Sequence, residues 1–235
     1  MQLYSYWRSS AAYRVRIALN LKDIDYQLIP VTLIGQSPAH RSDAYRDLNP
    51  QMLVPFLVDG AVSVGQSQAI LEYLEEAYPE CPLLPQRTDL RAAVRSFCNA
   101  ICCDIHPLNN LRVMNYLTER LEISDQQRRE WYSHWIQEGF RSAELTARHY
   151  SADGEFVFGD RPTLADLCLI PQMYNARRFR VAVTDYPTLT SIADFCEQTA
   201  AFRAAAPEAQ PDAEGERRQS AAASSSPELQ QEKAE

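Results

Sequence analysis

The sequence has no apolar run reaching about 18 residues, the length that marks a membrane-spanning helix, so no membrane span is expected. It also lacks a charged stretch leading into an apolar one at its start. It opens directly on a strand-like run, and no signal peptide is expected. The six cysteines, Cys81, Cys98, Cys102, Cys103, Cys168 and Cys196, lack the spacing of a disulfide scaffold. Most sit in apolar, helical surroundings, and reduced thiols in a cytoplasmic protein are the simplest account. Positive charge is not in excess either. The net charge is −8, which argues against a nucleic-acid partner.

What is present suffices for one large or two small domains in 235 residues. The chain is 46% hydrophobic and 23% charged, which fits a globular protein with a real core. From Ala205 onward seven acids face three bases, whereas the first part carries Arg8, Arg14, Arg16 and Arg41. A local basic patch in an acidic chain suits a small anionic ligand better than a polyanion.

The first third alternates strand and helix. Strands are expected over Leu3–Trp7, Tyr26–Val31, Val54–Val58 and Ala61–Val64, with Asp59-Gly60 as a hairpin turn between the last two. Helices are expected over Ser10–Leu21, with Ile17 and Leu21 on one face, and over Gln66–Tyr78, with a short helical turn at Ala44–Leu48. A β-α-β unit followed by β-β-α is a thioredoxin-like layout, its first strand pair parallel and its last antiparallel. Pro79–Gln86 reads as a linker. Beyond it the pattern is helical only: Leu90–Leu117, which Pro107 is expected to kink, then Ser124–Tyr150, Thr163–Ala176 and Thr188–Thr199. The expected fold is thus an α/β thioredoxin-like domain (1–80) followed by an all-α domain (87–203). A disordered acidic tail (205–235) comes last, since it is poor in large apolar residues.

Arg8-Ser9-Ser10 falls at the first strand-to-helix turn. Two hydroxyls there adjoin free backbone N–H groups. Such a helix start stabilises an exposed anion by roughly 0.3–1 kcal/mol, and a thiolate held there is favoured over its thiol. A plain serine N-cap explains the same residues. Three nearby arginines, Arg8, Arg14 and Arg16, weigh toward the anion site. Thr163-Leu164-Ala165-Asp166 has capping-box spacing with Asp for the usual Glu, so Asp166 is read as a cap and not as a catalytic acid.

The opening Tyr-Trp-Arg-Ser-Ser-x-x-Tyr-Arg-Val-Arg-Ile-Ala-Leu resembles the zeta class of glutathione transferases, the maleylacetoacetate and maleylpyruvate isomerases. Asn49-Pro50 with Val54-Pro55, Gln66-Ser67 with Ala69–Glu76, Pro107–Leu111 and Ala165–Gln172 resemble further motifs of that family in order. The likeness covers roughly residues 1–203. It implies the glutathione transferase fold, glutathione as cofactor, a small dicarboxylate substrate and a homodimer. It implies Ser9 or Ser10 as the donor to the glutathione thiolate. Val54, before a cis Pro55, would pair with the cysteinyl backbone, and Gln66 and Ser67 would bind the γ-glutamyl carboxylate. His40, His106 and Asn110 occupy further family positions near the cofactor. Arg8, Arg112 and Arg178 would face the substrate carboxylates, a task that suits the planar guanidinium fork.

One departure stands out: the family pattern has cysteine directly after the serines, and this chain has Ala11. The nucleophile is therefore assigned to the cofactor. The implied activity is glutathione-dependent cis–trans isomerisation of maleylacetoacetate, with maleylpyruvate isomerisation or general glutathione transfer as alternatives. A non-catalytic binding module is disfavoured by the intact Ser9, Ser10, Gln66 and Ser67.

Three signals are given structural readings. Cys98, Cys102 and His106 share a helix face, but no fourth ligand is evident and no metal is expected. Trp131 and Trp135 read as core, and Arg128-Arg129 as a solvated face. One or both of Arg14 and Arg16 are expected to face solvent or a structural carboxylate.

Overall fold

The computed structural model describes residues 1–213. The first unit holds β1 (Gln2–Ser5), α1 (Ser10–Leu21), β2 (Gln27–Pro30), α2 (Asp43–Leu48), β3 (Phe56–Asp59), β4 (Val62–Gly65) and α3 (Ser67–Ala77). The sheet order is β2-β1-β3-β4. β1 runs parallel to β2 and antiparallel to β3, and β3 pairs antiparallel with β4. Leu3 faces both Leu28 and Leu57 across the ladder, which centres the apolar positions of this four-stranded sheet. The Val54–Pro55 peptide is cis, as expected, but these two residues precede β3 and lie outside it.

The helical unit holds α4 (Thr88–Asn99), α5 (Leu111–Glu119), α6 (Asp125–Tyr150), α7 (Leu164–Arg178), α8 (Pro187–Cys196) and α9 (Ala200–Ala205). The single helix expected over Leu90–Leu117 is not continuous. α4 passes into a π-helical turn at Ala100–Ile105, stops, and restarts at α5 with Asn110 as N-cap. The extra residue per turn lets Ile105 press onto α6, where a Cβ on Gly139 would collide with it. α6 begins with a full capping box, Ser124 with Gln127.

α1 is not a half-exposed helix. Ala12 to Leu19 are all buried, because α3, α7 and α9 pack around it. Both of its arginines are enclosed, contrary to the sequence expectation. Arg16, 0% exposed, donates to Ala205 O at 2.9 Å, Trp7 O at 3.0 Å and Ser5 Oγ at 3.1 Å. It bonds carbonyl and hydroxyl oxygens where solvent or a carboxylate was expected.

Two buried networks join the units. Lys22 Nζ bonds Glu75 at 3.1 Å and the carbonyls of Tyr78 and Cys81 at 2.9 and 2.8 Å. Glu75 in turn accepts from Leu83 N and Leu84 N at 2.8 and 3.1 Å, so the proline-rich connection is held at both ends. The second network corrects the expected tail boundary. Residues 205–213 are folded, with Ala205 and Ala213 at 0% exposure. Asp212 accepts the Trp7 N–H at 2.9 Å. Small side chains bury little area here. Hydrogen bonds to the first unit offset the ordering cost that composition alone made look prohibitive. The rest of the expected tail, 214–235, lies outside the described residues.

Candidate active site

The turn between β1 and α1 is fixed from several sides. Ser9 caps α1, its Oγ accepting from Ala12 N at 3.2 Å, while its own N–H donates to Tyr6 O at 3.0 Å. Arg16 clamps the Trp7 carbonyl from beneath. Ser10 Oγ accepts from Asn175 Nδ2 at 2.7 Å, tying the turn to α7. α7 is set by its own N-terminus. Asp166 accepts from Thr163 N at 2.7 Å and Val157 N at 2.8 Å, completing the capping box that the sequence suggests.

A cleft of about 420 Å³ opens at this turn. Arg8, Ser9, Ser10, His40, Val54, His106, Asn110, Arg112 and Arg178 all line it. Pro55, Gln66 and Ser67 do not. Pro55 is buried beside Val54. Gln66 sits at φ +67° and donates to Gln51 Oε1 at 2.7 Å, next to the Met52–Val54 wall of the cleft. Ser67 Oγ accepts from Arg14 Nη1 at 3.2 Å. Arg14 is 1% exposed, and its Nε and Nη2 have no partner among the described residues. The start of α3 therefore carries a buried cation with donors to spare.

Electrostatically the cleft is one-sided. Arg8, Arg41, Arg112, Arg128, Arg129 and Arg178 line it, and no carboxylate does among the described residues. The Arg8 guanidinium lies over the Trp7 ring at 4.5 Å and bonds Tyr6 Oη at 3.0 Å; that of Arg178 lies over Phe179 at 4.8 Å. Burial, with Arg14 and Arg112 nearby, holds the His106 imidazole down to about 3, so it is neutral at physiological pH. Burial also pushes the Tyr132 phenol up, keeping it protonated on the cleft wall. None of the six cysteines lines the cleft, whereas Ala11 does. Cys102 instead faces Cys168, Sγ to Sγ 3.7 Å.

Several lining residues were missed in the sequence. Arg128 and Arg129 are exposed, as the solvated-face reading expects, Arg128 pairing with Asp125 at 3.4 Å, and both also line the cleft. Trp131 and Trp135 are half-buried rather than core; Trp131 Nε1 donates to Leu108 O at 2.8 Å. Asn175 and Gln172 carried no distinguishing sequence signal beyond their place on α7, where spacings of three and four residues share a face.

Residues 3–82 match the family model for the glutathione S-transferase N-terminal domain. A maleylacetoacetate isomerase of Pseudomonas aeruginosa is 46% identical over 213 residues, covering 90% of this chain and 98% of that one. A holo structure of a maleylpyruvate isomerase, described as a bacterial zeta-class glutathione transferase, superposes with a TM-score of 0.87. It is 44% identical, covering 90% of this chain and 99% of that chain. A maleylacetoacetate isomerase of Methylobacterium extorquens, solved with bound malonate and glutathione, gives a TM-score of 0.84 at 36% identity, covering 91% and 99%. The chain belongs to the glutathione transferase family. Within that family its place is the zeta class.

Proposed function

We propose that this protein is a glutathione-dependent cis–trans isomerase of maleylacetoacetate, yielding the fumaryl isomer. The observation that carries the reading is the cleft itself: six arginines, no lining carboxylate among the described residues, and a capped helix start bearing two serines. A dianionic substrate and an ionised thiol both suit that field.

The site fits glutathione. The buried Arg14 cation beneath Ser67 adds to the positive field at the start of α3, where Gln66 and Ser67 would hold the γ-glutamyl carboxylate. Val54 would offer its backbone to the cysteinyl part, and His40, His106 and Asn110 line the remaining wall. When bound, glutathione supplies a thiol that can add reversibly to a conjugated double bond and leave it free to rotate. Ser9 is the better placed serine to favour the thiolate. It is half-buried, whereas both hydroxyls already accept one bond and keep a proton to donate. Ser10 is more buried and engaged by Asn175. Arg8, Arg112 and Arg178 would pair with the two carboxylates, holding the alkene beside the helix start. A neutral His106 avoids adding a competing cation at the cofactor wall.

The likeness to a maleylpyruvate isomerase supports a second reading with the same chemistry on a shorter oxo-diacid. We further propose a cytoplasmic location, supported by six free thiols, and a homodimer, supported by the family resemblance. Incubation of the protein with glutathione and each maleyl substrate tests the assignment. Loss of the cis isomer of maleylacetoacetate is expected. Turnover of maleylpyruvate alone would install the second reading, and conjugation without isomerisation would refute both.

A further inference from the structure

Gln172 is 0% exposed, on α7, and it lines the cleft. Neither Nε2 nor Oε1 of its amide has a hydrogen-bond partner among the described residues. A buried amide left so is costly, and a group of this kind calls for an explanation. The other polar α7 residues that line the cleft have separate roles. Asn175 is bonded to Ser10, and Arg178 offers charge to the cleft. The carboxylates of a bound diacid have Arg112 and Arg178 among the lining guanidinium groups to meet. A neutral amide adds little for an anion there. It matches a neutral carbonyl instead, with Nε2–H donating to a ketone oxygen and Oε1 able to accept from the hydroxyl of its enol form. Asn175 lies three residues on, about 4.5 Å along the helix axis, so the amide sits within one turn of the serine anchor.

We propose that Gln172 is a specificity-determining residue whose amide recognises the keto group of an oxo-dicarboxylate, selecting such acids over plain dicarboxylates. This rests on the dicarboxylate reading above and sharpens it. A site built to bond a carbonyl rejects the analogue lacking one, because the amide then stays unpaired.

The test uses two unreactive probes differing only in the ketone, 4-oxoheptanedioate and heptanedioate. Their affinities for the full-length protein are measured by calorimetry with glutathione present. The wild type is expected to bind the oxo-acid about tenfold more tightly, the worth of one good buried hydrogen bond. Gln172→Met should bind both equally, with heptanedioate affinity unchanged and a melting temperature no lower than wild type, since the substitution removes an unpaired polar group. Gln172→Leu, which likewise has no donor, should lose the preference too and serves if the first variant does not fold. Equal binding of both probes by the wild type overturns the inference while leaving the dicarboxylate reading intact. Binding of neither probe overturns both. A Gln172→Met protein that melts lower and weakens both probes alike assigns Gln172 to structure and overturns the inference.

Discussion

Replacing Asp166 by alanine tests whether the helix that presents half of the cleft depends on a single buried carboxylate. Asp166 is 0% exposed and accepts from Val157 N at 2.8 Å, Thr163 N at 2.7 Å and Thr163 Oγ1 at 3.2 Å. Alanine leaves two buried backbone N–H groups without an acceptor, each costing about 1–3 kcal/mol. Loss of the cap itself is worth about 1 kcal/mol and overlaps with that count. We expect a loss of about 4 kcal/mol, a large share of the roughly 5–15 kcal/mol that holds a domain folded. For a chain of this size each kcal/mol is about 2–4 °C, so the melting temperature should fall by about 8–16 °C. Urea titration followed by far-ultraviolet circular dichroism gives the same quantity independently. A loss below about 1 kcal/mol would refute the reasoning, since the exposed-cap value alone reaches that figure. The pH dependence adds a second check. Burial raises the Asp166 carboxyl to about 6. A carboxyl raised on folding contributes stability that is full below its unfolded value near 4 and is lost as pH rises through 6. Asp166→Asn, which does not titrate, should therefore trail the wild type by more at pH 4 than at pH 7.

Other substitutions address the cleft and the connection between the units. Arg178→Ala should raise KM for a dicarboxylate about 10-fold or more, the value of a charge-assisted bond, and barely alter it for an uncharged electrophile. Equal shifts in steady-state assays would remove Arg178 from the substrate site. Ser9→Ala should raise the pKa of bound glutathione thiol, read from its thiolate absorbance against pH, whereas an unchanged titration would transfer that role to Ser10. Glu75→Ala leaves Lys22 buried without its carboxylate and frees Leu83 and Leu84 N–H. We expect a loss of about 3–5 kcal/mol in urea melts, and a near-neutral result would discount the network.

Much of this architecture could be read in the residues. The start of α1 was legible, because an apolar strand, a serine pair and helical spacing each mark the same boundary. Asp166 was legible as a cap, since its spacing from Thr163 has a local meaning. The break after Asn99 was not. Phe97, Ile101 and Ile105 keep the apolar rhythm straight through the π-helical turn, which hides it, although Pro107 and the cap Asn110 mark the restart. The fates of Arg14 and Arg16 depend on α7 and α9 closing over α1, a tertiary event with no local signature. Arg128 and Arg129 sit on a polar helix face that becomes a cleft wall only because another unit stands opposite. Gln172 could be found only once its lack of partners among the described residues was visible.

Arg16 and Trp7 find their acceptors at Ala205 and Asp212, at the far end of the described chain. A polypeptide emerging from the ribosome makes its first strand and helix early and then has to wait. Until some two hundred residues have been added, the Arg16 Nε–H lacks the Ala205 carbonyl and the Trp7 amide lacks its carboxylate. The pocket-forming bend is thus among the last parts of the molecule to settle during synthesis, although it is encoded among the first.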